Sequence, residues 1–354
     1  MFTESARTRL ASVMRALSIN SAESRSTLRL ALAVCLSFAI AEALNWPAPF
    51  IAAVLTVQLV LPGKPCPPLA DGVGFVLALG LSLIAALLIS SALVSFMQLY
   101  VLIISLLVFL AFYLQASTTS PAAFLLLVAF TVVPILMVIS SAVAQEAVAL
   151  LMRSSILAVL VVWAVHAMLP DPPNDAVLAN PSTQKESEDR GSSRDFARTA
   201  LLNTVVVMPI VLTFILTNVA SAMVIVFSTL SIVQQRGNTE HANAALGLML
   251  GNIIGGVSAV IVYGVMFAAP SFPMLVSVLL LVGLVFGWRI FTSGASTPLF
   301  VIALITTLIL FGTGLSPFRD AGTAFVTRLI YVMLAGAYTV GMLAVVEPLR
   351  RSNR

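Results

Sequence analysis

Apolar residues in this chain come in long continuous runs broken by short polar stretches, and they do not alternate with polar ones. Runs near twenty residues match the length a helix needs to cross roughly 30 Å of hydrocarbon. Continuity favours helices over a membrane β-barrel, whose strands alternate. The pattern predicts twelve spans: residues 28–45, 48–62, 70–93, 97–115, 119–140, 146–168, 198–217, 219–234, 242–268, 271–289, 295–314 and 322–346. Two of them, 48–62 and 219–234, are short. Each follows its predecessor after only a few residues, "NWP" at 45–47 and "TN" at 217–218. Partial spans are tolerated where other helices, not lipid, surround the backbone.

The polar stretches set the organisation. Residues 1–27 precede the first half (28–170), a linker (171–197) joins it to the second half (198–346), and a short tail (347–354) closes the chain. The linker sequence "DPPNDAVLANPSTQKESEDRGSSRD" is rich in Pro, Ser, Asn and charges of both signs, and reads as a solvated tether. Twelve spans place 15 of the 18 Lys and Arg residues on the side of the termini and linker, leaving Arg153, Arg319 and Arg328. That bias predicts cytoplasmic termini and an inner-membrane, multi-pass protein.

Composition narrows the class. The chain is 60% hydrophobic and 9% charged, with mean hydropathy +1.08. Soluble domains carry about 25% charge, so this chain lacks the side chains to cover a water-facing surface. The net charge of +4 comes from loop arginines and does not point to nucleic acid. Cys35 lies in an apolar run and Cys66 in "PCPP", which predicts neither a disulfide framework nor a metal site. "AIA" at 39–41 resembles a leader cleavage site, but nearly thirty residues precede its apolar run, so no cleaved leader is expected.

No phosphate-cradling Gly-Lys-Ser/Thr loop, His-Glu-x-x-His or Ser/His/Asp order occurs. No enzyme activity, cofactor or metal is therefore expected, and any transport is either ion-coupled or passive.

The halves echo each other. "STTSPAAF" at 117–124 corresponds to "GASTPLF" at 294–300, each opening a fifth span. "ALLMR" at 149–153 corresponds to "AFVTR" at 324–328 in the sixth spans, and "AAVLTV" at 52–57 to "IVFSTL" at 225–230 in the second. Three matches in one order predict two parallel six-span repeats. Transporters often place the substrate site at such a repeat interface.

Arg153 and Arg328 are the sharpest candidates. Each is expected two turns into a sixth span, about 10 Å below its outer edge. An arginine at the bilayer centre costs on the order of 2.5–3.5 kcal/mol on insertion scales. Either the pair snorkels outward or bridges to Glu146 or Asp320, or it faces a cavity and forks onto a substrate carboxylate.

Thr56, Gln58, Ser228, Thr229 and Ser231 put hydroxyls and an amide into the short second spans, where they either hold helices together or line a path. Glu42, near the outer end of the first span and Trp46, is the candidate for proton coupling, with a hydrated interfacial carboxylate as the other reading. His166 reads as an interfacial histidine and not a proton relay.

The polar cluster at 234–241 is expected as a cytoplasmic loop, with Asn238 or Thr239 capping the next helix. Gly247, Gly251 and Gly255 then fall on one face and predict a packing ridge.

An Arg-led first span, the turn "NWPAPFIAAVLTV" at 45–57 and the Gly-spaced "ALGLMLGNIIGG" at 245–256 resemble the fusaric-acid-resistance and aromatic-acid-exporter superfamily, in a short bacterial branch. Phe50 and Thr56 loosely fit the family's aromatic-Ala-x-x-Thr pattern; Asn243 and Ala244 stand where the family has arginine. The resemblance implies export of aromatic or other organic acid anions across a bacterial inner membrane, driven by protons. It also implies a periplasmic adaptor of the membrane-fusion type as partner. Plant relatives are malate-type anion channels, so a passive organic-anion channel stays open, as does a non-transporting membrane scaffold. The expected partners are thus an organic anion, the lipid bilayer and an adaptor, without nucleic acid; a homo-oligomer stays open.

Overall fold

The computed structural model describes residues 22–61, 66–117, 121–170, 193–217, 229–230, 238–268 and 270–314, together with 330–331, 334–335, 337–339, 341–342 and 345. Among these there are helices and no strand. The longer helices are α1 (Ala22–Ala43), α2 (Phe50–Leu59), α3 (Leu69–Leu93), α4 (Met97–Ser117), α5 (Pro121–Ile139), α6 (Ser141–Met168), α7 (Ser193–Thr217), α8 (Asn238–Ala268), α9 (Phe272–Thr292) and α10 (Thr297–Gly314). Seven helical stretches among the described residues are long and apolar enough to cross a membrane; α2, α5 and α10 supply shorter apolar ones. The described elements are all helical, and the long apolar helices among them mark a multi-pass membrane protein. Each described helix coincides with an expected span; most of spans 219–234 and 322–346, and the linker 171–192, lie outside the described residues.

Local chemistry accounts for the tight turn after α1. Asn45 adopts φ 54°, a left-handed conformation that asparagine tolerates better than most residues. Its N–H donates to the Glu42 carbonyl (2.8 Å), and Trp46 N–H reaches back to Ala41 (3.1 Å). This is a Schellman cap, and it closes the carbonyls that the end of α1 leaves open. Pro47 and Pro49 then lead directly into α2, which spans ten residues and rises only about 15 Å.

The described chain divides into two compact units. The first comprises Met1–Pro68, Ser154–Glu186 and Ile253–Gly322. Within it α1 packs on α9 and on α2, α9 on α10, and α10 on α2. Leu30, Val34, Phe38, Val278, Leu279 and Phe311 lie in its core. The α1–α9 seam is close: a Cβ at Gly283 would lie 2.6 Å from Ala31 Cα, and one at Gly287 would lie 3.3 Å from Thr27. Farther along, the Cys35 thiol donates to the Val276 carbonyl (3.3 Å). Residue numbers rise on α1 as they fall on α9, so the two helices are antiparallel.

The second unit comprises Leu69–Arg153, Ser187–Asn252 and Thr323–Arg354. Here α4 packs on α7 and α5, α3 on α5, and α5 on α7. Its core holds Tyr100, Ile104, Phe112, Leu127, Val207 and Phe214. Pro134 and Pro209 interrupt the amide ladders of α5 and α7. A tyrosine hydroxyl lies close to each proline: Tyr100 donates to the Pro134 carbonyl (2.7 Å) and Tyr338 to that of Val206 (3.0 Å).

The expected glycine ridge on α8 holds at one end only. A Cβ at Gly255 would collide with the Ala303 carbonyl oxygen, and Thr307 donates to the Gly255 carbonyl (3.1 Å), so α10 lies directly against α8 there. At Gly247 no atom lies within 4 Å of an added Cβ. Eight residues separate the two glycines, about 12 Å along the axis, and the neighbour that meets one does not reach the other.

Candidate functional site

Helix α6 carries the clearest charge constellation among the described residues. Its first three turns include Gln145 and Glu146, both exposed, before the sequence turns apolar. Side chains on a helix lean toward its N-terminus, so Arg153 reaches back along the helix. Its Nη2 donates to Glu146 Oε1 at 2.5 Å, and its Nε donates to the Ala149 carbonyl at 3.3 Å. The two charged side chains keep 42% and 58% of their surface exposed. The bridge to Glu146, one of the two sequence readings, is therefore present, and both groups remain partly exposed. In water such an exposed pair contributes only about 0–1 kcal/mol, so a second carboxylate can compete for the guanidinium at little cost.

The second-span residues are differently placed. Thr56 is fully buried, and its hydroxyl donates to the Ala52 carbonyl one turn back (2.8 Å). Gln58, two residues on, is exposed. Thr229 is also fully buried and accepts a hydrogen bond from Thr339 Oγ1 (3.2 Å). Both threonines thus serve helix and helix–helix contacts in the structure. Thr56, Gln58 and Glu42 belong to the first unit, and Arg153 and Thr229 to the second. Glu42 is half-buried at the capped end of α1. Arg328 and Ser231 lie outside the described residues. His166 is half-buried, with Nδ1 2.8 Å from the Val162 carbonyl. Among the described residues no group of three or more His, Cys, Asp or Glu is arranged to hold a metal ion, and neither Cys35 nor Cys66 is in a disulfide.

Two residues that the sequence pattern did not single out are prominent in the structure. Arg29, one of the cytoplasmic positive charges by sequence, is 6% exposed, the one buried charged side chain among the described residues, and lies 3.4 Å from Ser26 Oγ. Thr339 supplies the hydroxyl that meets Thr229. The position of Arg29, four residues after Arg25 at the edge of an apolar run, signals neither burial nor exposure.

Compared with protein-family models, curated proteins and solved structures, the chain gives no match.

Proposed function

We propose that this protein exports aromatic or other organic acid anions across a bacterial inner membrane, with Arg153 and Arg328 as the cations that take the substrate carboxylate. The observation that carries the reading is the Arg153–Glu146 pair. A guanidinium and a carboxylate stay partly exposed on one face of a helix that runs on for fifteen residues beyond Arg153 as an almost wholly apolar segment. Facing lipid, such a pair is expensive; facing a hydrated path, it is a carboxylate site already occupied by a tethered carboxylate. An incoming organic anion displaces Glu146 and forks onto Arg153.

Twelve spans in two parallel repeats fit this reading. The first expected span packs on the tenth (α1 on α9) and the seventh on the fourth (α7 on α4), a reciprocal exchange that two equivalent halves would make. Thr56 and Thr229, matched by the repeat, are both fully buried. "LN" at 44–45 and "TN" at 217–218 stand the same distance ahead of those threonines, so the Schellman asparagine also recurs in sequence. The resemblance to the aromatic-acid exporters supplies the substrate class, the proton drive and the periplasmic adaptor, and Glu42, at the outer end of the first expected span, is the carboxylate assigned to proton coupling. Cytoplasmic termini follow from the distribution of Lys and Arg. Thr56 and Thr229, both fully buried, act in this reading through helix packing and not by touching substrate.

The test is efflux of a labelled aromatic carboxylate from cells expressing the chain, or its uptake into inverted vesicles. Arg153→Ala and Arg328→Ala are each expected to reduce flux at least tenfold with membrane levels unchanged. Unchanged flux in both would sink the assignment. A flux that follows voltage and ignores a pH gradient would replace the exporter with a passive channel.

A further inference from the structure

We infer that the two sequence halves are each other's obligate partner: each compact unit is completed by helices from both halves, so the linker is not what holds them together. The inference does not depend on transport. In the first unit, α1 and α2 come from the first half and α9 and α10 from the second. In the second unit, α3, α4 and α5 come from the first half and α7 from the second. Neither half keeps its helices in one unit.

Helices in a bilayer gain little from hydrophobicity in pairing with one another, and they hold by close packing and cross-helix hydrogen bonds. The seams between halves carry both. Gly283 and Gly287 of α9 let the α1 backbone in at Ala31 and Thr27, and the Cys35 thiol reaches the Val276 carbonyl. Phe50 of α2 fills the space over Gly312 of α10, where an added Cβ would meet Phe50 Cδ1, Cβ and Cγ at 2.6–3.1 Å. Helix α2 makes the dependence sharp. At about 15 Å it cannot cross the hydrocarbon alone, and α10 from the other half packs against it. In the second unit, Ile104, Val108 and Phe112 of α4 share a core with Val207, Val211 and Phe214 of α7.

The partner that fits these faces is therefore the other half of the same chain. A protease site placed in the linker of the full chain, between residues 174 and 185, tests this. The expected result is one peak of unchanged size on gel filtration in detergent before and after complete cutting. Two separate peaks, each with full helicity, would overturn the inference. A second measurement guards against a fold broken by the inserted site. Thr27→Cys with Gly287→Cys brings two thiols within disulfide reach across α1 and α9. After cutting, a non-reducing denaturing gel is expected to show a full-length band that reductant converts to two halves. Halves without a cross-link would contradict the seam. Single-cysteine copies carrying Thr27→Cys and Gly287→Cys on different tags, co-expressed, are expected to give no cross-link. A strong cross-link between them would reassign the exchange to two chains and overturn its placement within one.

Discussion

The α1–α9 and α4–α7 seams occupy reciprocal places in the chain and are built in different ways. Between α1 and α9 the backbones nearly touch: Gly283 faces Ala31, and Gly287 faces Thr27. Between α4 and α7 the space is filled by side chains, with Ile104, Val108 and Phe112 buried in one core with Val207, Val211 and Phe214. One seam adds close backbone approach at Gly283 and Gly287 to packed side chains such as Leu30, Val34 and Leu279. The other gains its contacts by filling volume. The first fails when something is added and the second when something is removed, so the same topology has two distinct weaknesses.

That contrast can be broken from either side. The largest effect is expected at Phe112→Ala, which leaves a ring-sized cavity at a site 2% exposed; about 3–5 kcal/mol of stability should be lost, read as a lower unfolding midpoint in detergent. Gly283→Val adds bulk where Ala31 Cα already lies 2.6 Å from the position an added Cβ would take. Overpacking of this kind should cost about 1–3 kcal/mol. Its control is Gly247→Ala, in open space on α8, which should leave the midpoint unchanged or raise it by up to about 1 kcal/mol through helix propensity. If Gly283→Val and Gly247→Ala behave alike, α1 and α9 do not approach as closely as described. Tyr100→Phe removes one buried hydrogen bond to the Pro134 carbonyl and should cost roughly 0.5–1.5 kcal/mol. The smallest effect is expected at Thr339→Val, which ends the hydroxyl contact with Thr229 and keeps the volume close. Double-mutant analysis with Thr229→Val should recover a coupling of about 0.5 kcal/mol.

Much of this architecture is legible from periodicity. Uninterrupted apolar runs mark the helices because lipid asks for no polar face, and the tight turn at "NWP" marks α2, with its ten residues, as a short helix. The glycine ridge is half legible. Spacing shows that Gly247 and Gly255 share a face, but it does not show how far along that face a neighbour extends. Burial of single polar residues is the least legible. Thr56 and Gln58 are two residues apart in one short helix, and one is sealed while the other is exposed. Arg29 follows Arg25 by one turn, and of the two only Arg29 is buried. A two-residue or four-residue step along a helix changes which neighbour covers it, and that depends on helices far away in sequence. The exchange of helices between halves is invisible for the same reason: self-similarity says that the halves are alike, not which parts of them touch.

The transport proposal turns on whether the Glu146–Arg153 face of α6 meets water or lipid. Ala149 lies on that face, one turn before Arg153, and is exposed. Ala149→Cys, in a chain with Cys66→Ser and the buried Cys35 left in place, can be challenged with a membrane-impermeant maleimide in intact membranes. Rapid labelling at 149, with none at Leu81→Cys or Leu102→Cys on the exposed apolar faces of α3 and α4, is the expected result. Labelling at 149 as slow as at 81 and 102 would place Arg153 away from any hydrated path and contradict the proposal.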